Sequence, residues 1–285
     1  MVAHIENLFE KVFSEKSKNN IEKVILWLSL SGFVIHLTLI YLTKFNLLNF
    51  LVEYNLLANP ISAIYTPFTF ILVYEIYLLV LYLPRSFTTS LSKQFEIISL
   101  ILIRRIFGDI PKIDLEVNWF KTLPNLNLIY DLMGILILYF LIYLFNKSAK
   151  SRVIIPSNLK IEKFIIAKKA LSLILLVCLV IMCSFSLFNW MVDLLSNSFS
   201  ENVNSIFYND FFELLILADV FILLISFKYT EKYTQIVRNT GFIVCTILIR
   251  LSFGTYGLTN VVLILSSVIF GLLILKIFNL SEKLA

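Results

Sequence analysis

Charged side chains are scarce in this chain. Only 15% of its 285 residues are Asp, Glu, Lys or Arg, against roughly 25% in a soluble globular domain. Glycine (7), proline (6), cysteine (3) and histidine (2) are also few. The three cysteines, Cys178, Cys183 and Cys245, fall inside apolar runs with no histidine near them and no metal-ligand spacing. They read as small buried hydrophobes, and no metal site is expected. The main interruptions within apolar runs are Pro67, Gly134 and Gly271. Broken helices at matched positions, the mark of a rocking transporter, are therefore missing. No P-loop, H-E-x-x-H, C-x-x-C, G-x-S-x-G or glycine-rich fingerprint occurs, so neither an enzyme nor a cofactor is expected. There is no arginine ladder of a voltage sensor and no TVGYG-like filter.

What fills the chain is apolar. Hydrophobic residues make up 59% of it, and the mean hydropathy is +0.88. They cluster in runs of about 15–23 residues, long enough to cross a hydrocarbon core. The class is all-α, a polytopic membrane protein in a lipid bilayer. Eight spans are expected: Val24–Thr43, Ile61–Leu83, Leu91–Phe107, Leu126–Phe145, Ala170–Leu194, Phe211–Phe227, Thr240–Phe253 and Thr259–Phe278. The first 23 residues are polar, and the run after them lacks a small-residue cleavage site. It reads as a retained span rather than a signal peptide.

The net charge of +5 does not require nucleic acid. With the amino terminus inside, the outer loops hold only Lys44, Lys112 and Lys121. Nearly all other basic residues outside the spans fall in the amino-terminal segment, the turns after spans two and six, the middle linker and the tail. The positive-inside rule then puts both termini in the cytoplasm, with the protein in the cytoplasmic (inner) membrane. Five segments follow: a cytoplasmic segment 1–23, a four-helix half 24–145, a basic linker 146–169, a second four-helix half 170–278 and a tail 279–285. Lys160, Lys163, Lys168 and Lys169 of the linker either bind anionic lipid head groups or only fix topology.

A polar pattern recurs within these halves. Glu75 lies in span two and Arg104 in span three; Asp219 lies in span six and Arg250 in span seven. Ile101-Leu102-Ile103-Arg104-x-x-Phe107-Gly108 matches Ile247-Leu248-Ile249-Arg250-x-x-Phe253-Gly254. The halves are read as a parallel tandem repeat, because each holds an even number of spans. At 1.5 Å per residue, Glu75 lies about 12 Å and Arg104 about 20 Å from the inner boundary. Asp131 lies level with Arg104 and Arg105, and Glu213 near Arg250. Adjacent arginines point about 100° apart on a helix, so Arg104 is assigned inward and Arg105 is expected to snorkel to the outer interface. His36, midway along span one, suits either a proton relay or a hydrogen bond to a Tyr or Thr of a neighbouring helix.

The hairpin of acidic span, basic turn and span ending in I-x-R-x-x-F resembles the PsiE (phosphate-starvation-inducible) family of small four-span membrane proteins. Glu75, Tyr82, Ile101, Ile103, Arg104 and Arg105 carry the resemblance in the first half, and Asp219, Ile249 and Arg250 in the second. The chain departs from that pattern in being doubled, in Asp219 for glutamate and in Leu251 for the second basic residue. The resemblance implies a helical bundle in the cytoplasmic membrane and no catalytic activity.

Two functions are consistent with these residues. In one, the acid–arginine pairs line a path for protons or ions. In the other, they lock helices together in a non-conducting accessory or scaffold subunit, within a homo-oligomer or a complex with other membrane proteins.

Overall fold

The computed structural model describes residues 2–45, 59–110, 113, 122–150, 159–196, 203–230 and 232–284. They form a short helix α1 (Val2–Val12) and eight long ones: α2 (Glu15–Lys44), α3 (Tyr65–Tyr82), α4 (Phe87–Asp109), α5 (Leu123–Lys150), α6 (Leu159–Ser196), α7 (Val203–Tyr229), α8 (Tyr233–Ser252) and α9 (Leu258–Leu284). Each of the eight expected spans falls on one long helix. The helices start where local chemistry lets them. Ser14 and Ser86 cap α2 and α4 by accepting from the backbone N–H of Ser17 and Thr89. Pro60 opens a 3₁₀ turn (Pro60–Ile64) that leads into α3. Pro67 falls in the first turn of α3, where a missing N–H costs nothing, so it leaves the span unbroken.

Among the described residues five segments are long and apolar enough to cross a membrane; they lie on α1 with α2, on the 3₁₀ turn with α3, and on α5, α6 and α9. The charge-bearing α4, α7 and α8 are not among them. α4 and α8 occupy the middle of the bundle. α4 packs on α3, α5 and α8, and α8 packs on α7, α9 and α4. Such helices turn only part of their surface to lipid, so they tolerate charges that outer helices cannot. Conversely, Trp27, Val34, Leu136, Tyr139, Ile174, Ile181, Leu217 and Leu273 are exposed. Apolar exposure on this scale belongs against hydrocarbon rather than water. The protein is a multi-pass helical membrane protein.

Phe95, Phe145 and Phe242 join α4, α5 and α8 edge to face, with centroids 5.1 and 6.2 Å apart. Elsewhere backbones come close because a side chain is missing. A Cβ on Gly134 of α5 would sit 2.6 Å from Val261 Cγ1 of α9.

The two ends of the bundle differ. At one end Lys168 meets the α3–α4 turn, Phe164 meets Tyr229, and Asn279 donates to the Ser148 carbonyl at 3.0 Å. We call this the basic end. At the other, Phe212 stacks on Phe253 at 4.0 Å.

The expected linker is helical at both its ends. Residues 146–150 continue α5 and 159–169 begin α6, while 151–158 lie outside the described residues. Lys168 is buried and Lys169 half-buried, because both sit on a helix that packs against α1, α3 and α7. The polar amino-terminal segment is likewise helical. α1 rests on α6 through Lys169, whose Nζ lies 3.4 Å from Glu6 Oε1 and 5.6 Å from the Phe9 ring centre.

Candidate functional site

Three buried carboxylates each hold an arginine from a neighbouring helix. In the first, Arg104 Nε of α4 donates to Glu75 Oε2 of α3 at 3.2 Å. In the second, Arg105 donates through Nε and Nη2 to both oxygens of Asp131 on α5, at 2.8 and 2.5 Å. Arg105 therefore does not merely snorkel outward. The angle between adjacent side chains, which prevents both arginines from facing one partner, lets α4 reach α3 with one and α5 with the other. A bidentate fork is the stronger geometry.

The third pair lies deepest. Arg250 Nη1 of α8 sits 2.6 Å from Asp219 Oδ2 of α7, and the two side chains are 2% and 3% exposed. The same guanidinium donates to the Leu215 carbonyl. Thr246, one turn before Arg250, donates its hydroxyl to Asp219 Oδ2 at 2.5 Å. The sequence match aligns Thr246 with Leu100, which is 49% exposed, so the first half has no such third group. Glu213 is exposed on α7 and is not among the groups bonded to Arg250; one turn of the helix carries it away from the bundle.

His36 of α2 is bonded through Nδ1 to Thr66 Oγ1 at the start of α3, 2.6 Å away. This is the neighbouring-helix bond expected of it, and it lies far in sequence from any of the acid–arginine pairs. Tyr74 of α3 reaches α2 as well, donating to Glu22 Oε2 at 3.0 Å. A further polar patch joins α4 to α5. Ser92 donates to Asn146 Oδ1 at 2.5 Å, Asn146 Nδ2 donates to Glu96 Oε1 at 3.1 Å, and Lys93 Nζ pairs with Glu96 Oε2 at 2.6 Å.

Sequence reasoning missed the feature that sets the third pair apart. Asp219 lines a small cavity shared by the two halves of the chain. Leu83, Phe87, Ser90, Leu91 and Gln94 form one side of it, and Lys168, Ile222, Phe242, Ile243 and Thr246 complete the other. It offers about 20 Å³ to the centre of a water molecule, room for about one water. Five of its lining residues carry polar side chains, so a water there finds hydrogen-bond partners. Glu75 does not line it. The signal available in the sequence was the position of Lys168, a lysine two residues before an apolar span.

Among the described residues no cluster of three or more His, Cys, Asp or Glu is placed to hold a metal. Compared with models of known protein families, with curated proteins and with solved structures, the chain gives no match. It is a helical membrane protein built around buried acid–arginine pairs.

Proposed function

We propose that this protein is a proton-permeable bundle of the cytoplasmic membrane, with Asp219 as the carboxylate that protons reach. The observation that carries this reading is the polar, water-sized cavity at Asp219. Intramembrane carboxylates that face a hydrated space are the usual stations of proton paths. Thr246 and Arg250 hold Asp219 in one orientation, so its free edge is aimed rather than mobile. Glu75–Arg104 and Arg105–Asp131 act in this proposal as locks between α4 and its neighbours.

The proposal keeps both termini on the cytoplasmic side, at the basic end, and treats the two halves as a parallel tandem repeat. Its support is the recurrence of an acid–arginine contact across both hairpins, α3–α4 and α7–α8. The PsiE-like hairpin adds the cytoplasmic membrane and no activity.

The test is proton flux into vesicles containing only this protein, followed by a pH-sensitive dye. Wild type should conduct, Asp219→Asn should not, and Glu75→Gln should conduct as wild type does. The direct contacts of the first two pairs favour a second reading, a non-conducting accessory subunit. A folded wild type with no flux decides for that second reading.

A further inference from the structure

Lys168 is the charged cavity-lining residue that takes no part in the acid–arginine pairs. Its side chain turns from α6 into the bundle and is 4% exposed. Nζ donates to the Arg85 carbonyl in the α3–α4 turn at 2.5 Å. It also lies 5.0 Å from the Phe87 ring centre and 5.1 Å from that of Phe164. Among the described residues it has no direct carboxylate contact. The carboxylate it faces is Asp219, across the cavity. Lys169, the next residue, points about 100° away on the helix and pairs with Glu6 of α1. α8 contributes two buried cations, Arg250, held by Asp219, and Arg238, which donates to Asn239 and lies over the Phe278 ring.

We propose that Lys168 is the second proton-exchanging group of this path, passing protons between the basic end and Asp219. This rests on the proton-path reading above. In the step, the ammonium gives one proton to a water in the cavity. That water gives one of its own protons to the Asp219 carboxylate. The lysine keeps its lone pair as a neutral amine, Asp219 becomes a neutral acid, and Arg250 stays charged. The sum over the three groups is +1 before and after. Two buried charges vanish together, which a low-dielectric interior favours, but Arg250 is left without its counter-charge, so the neutral acid passes its proton on rather than persisting. The amine regains a proton from water at the α3–α4 turn, where Arg85 and Ser86 are exposed. The same arrangement sets the substrate class. Two cations flank one carboxylate, so a sodium or potassium ion meets net repulsion where a proton is passed from group to group.

The experiment compares wild type, Lys168→Arg, Lys168→Met and Gln94→Leu in vesicles. Proton flux and potassium flux are measured, with thermal stability in detergent as the check on folding. Arginine keeps the charge but does not give up its proton. Folded Lys168→Arg and Lys168→Met should each lose proton flux by about tenfold or more. Proton flux equal to wild type in either folded variant overturns the inference and leaves Asp219 as the path's relay. If both lysine variants fail to fold, Gln94→Leu decides, since it takes a polar side chain from the cavity wall and leaves Lys168 and Asp219 in place. Unchanged flux there overturns the inference; lost flux in a folded protein upholds it. Potassium flux comparable to proton flux overturns the substrate class. A wild type without flux removes the path itself, a result distinct from all of these.

Discussion

At the scale of residues, the three ion pairs differ in what their loss should cost. Removing one partner of a buried pair costs about 3–5 kcal/mol in soluble proteins, softened in membranes because the unfolded chain also finds partners there. Arg104→Gln leaves Glu75 stranded, whereas Glu75→Gln with Arg104→Gln removes both charges. The double variant should therefore melt at a higher temperature than Arg104→Gln alone. Equal melting temperatures for wild type and all three variants would mean that the pair contributes nothing. Arg105→Leu should be as harmful as Arg104→Leu, because the Asp131 fork holds α4 to α5. A neutral Arg105→Leu beside a damaging Arg104→Leu would restore the snorkelling picture. The sequence made Glu75, Arg104, Asp219 and Arg250 legible because the pattern recurs. It hid the Arg105–Asp131 fork because depth alone does not say which helix stands beside which.

At the scale of elements, α5 and α9 meet where neither can spare an atom. Gly134→Ala puts a methyl 2.6 Å from Val261 Cγ1, and overpacking of this kind costs about 1–3 kcal/mol. Val261→Ala should recover part of that loss when combined with it. Thermal unfolding of both singles and the double measures this; a double no better than Gly134→Ala would show that the helices yield elsewhere. Phe145→Ala is the complementary case. It empties the point where α4, α5 and α8 join, and truncating a buried phenylalanine costs about 3–5 kcal/mol. Helix positions were legible from apolar runs, within a few residues. Helix lengths were not: α6 begins eleven residues before the expected Ala170, at Leu159, because a run of lysines marks the membrane edge and not the helix end.

At the scale of the whole molecule, alternating helices place the α3–α4 and α7–α8 turns at one end and the α8–α9 turn at the other. With the native cysteines replaced, Tyr256→Cys should react with an impermeant reagent added outside cells, and Lys232→Cys only after the membrane is opened. Tyr256 is 79% exposed and Lys232 is exposed too, so burial does not confuse the readout. Labelling of both from the same side would break the eight-span topology. The class of the protein was legible from composition, since no soluble fold hides so much apolar surface. The cavity was not, because it is built from α3, α4, α6, α7 and α8 together. Residues as distant as Leu83 and Thr246 become neighbours only when those helices pack.

The helices least suited to lipid are the ones this bundle puts at its centre. A ribosome delivers them one at a time, and α8 arrives before the neighbour that covers it. An arginine costs about 2.5–3.5 kcal/mol at the centre of a lone helix and less towards its ends; α8 brings two, Arg238 in its second turn and Arg250 in its last. It should therefore wait at the membrane surface until α9 emerges and the two enter together. A nascent chain stopped before Leu258 should leave α8 uninserted, which a glycosylation tag after Ser252 would report, whereas α2 should insert alone. The helix made next thus decides whether the innermost one ever leaves the water.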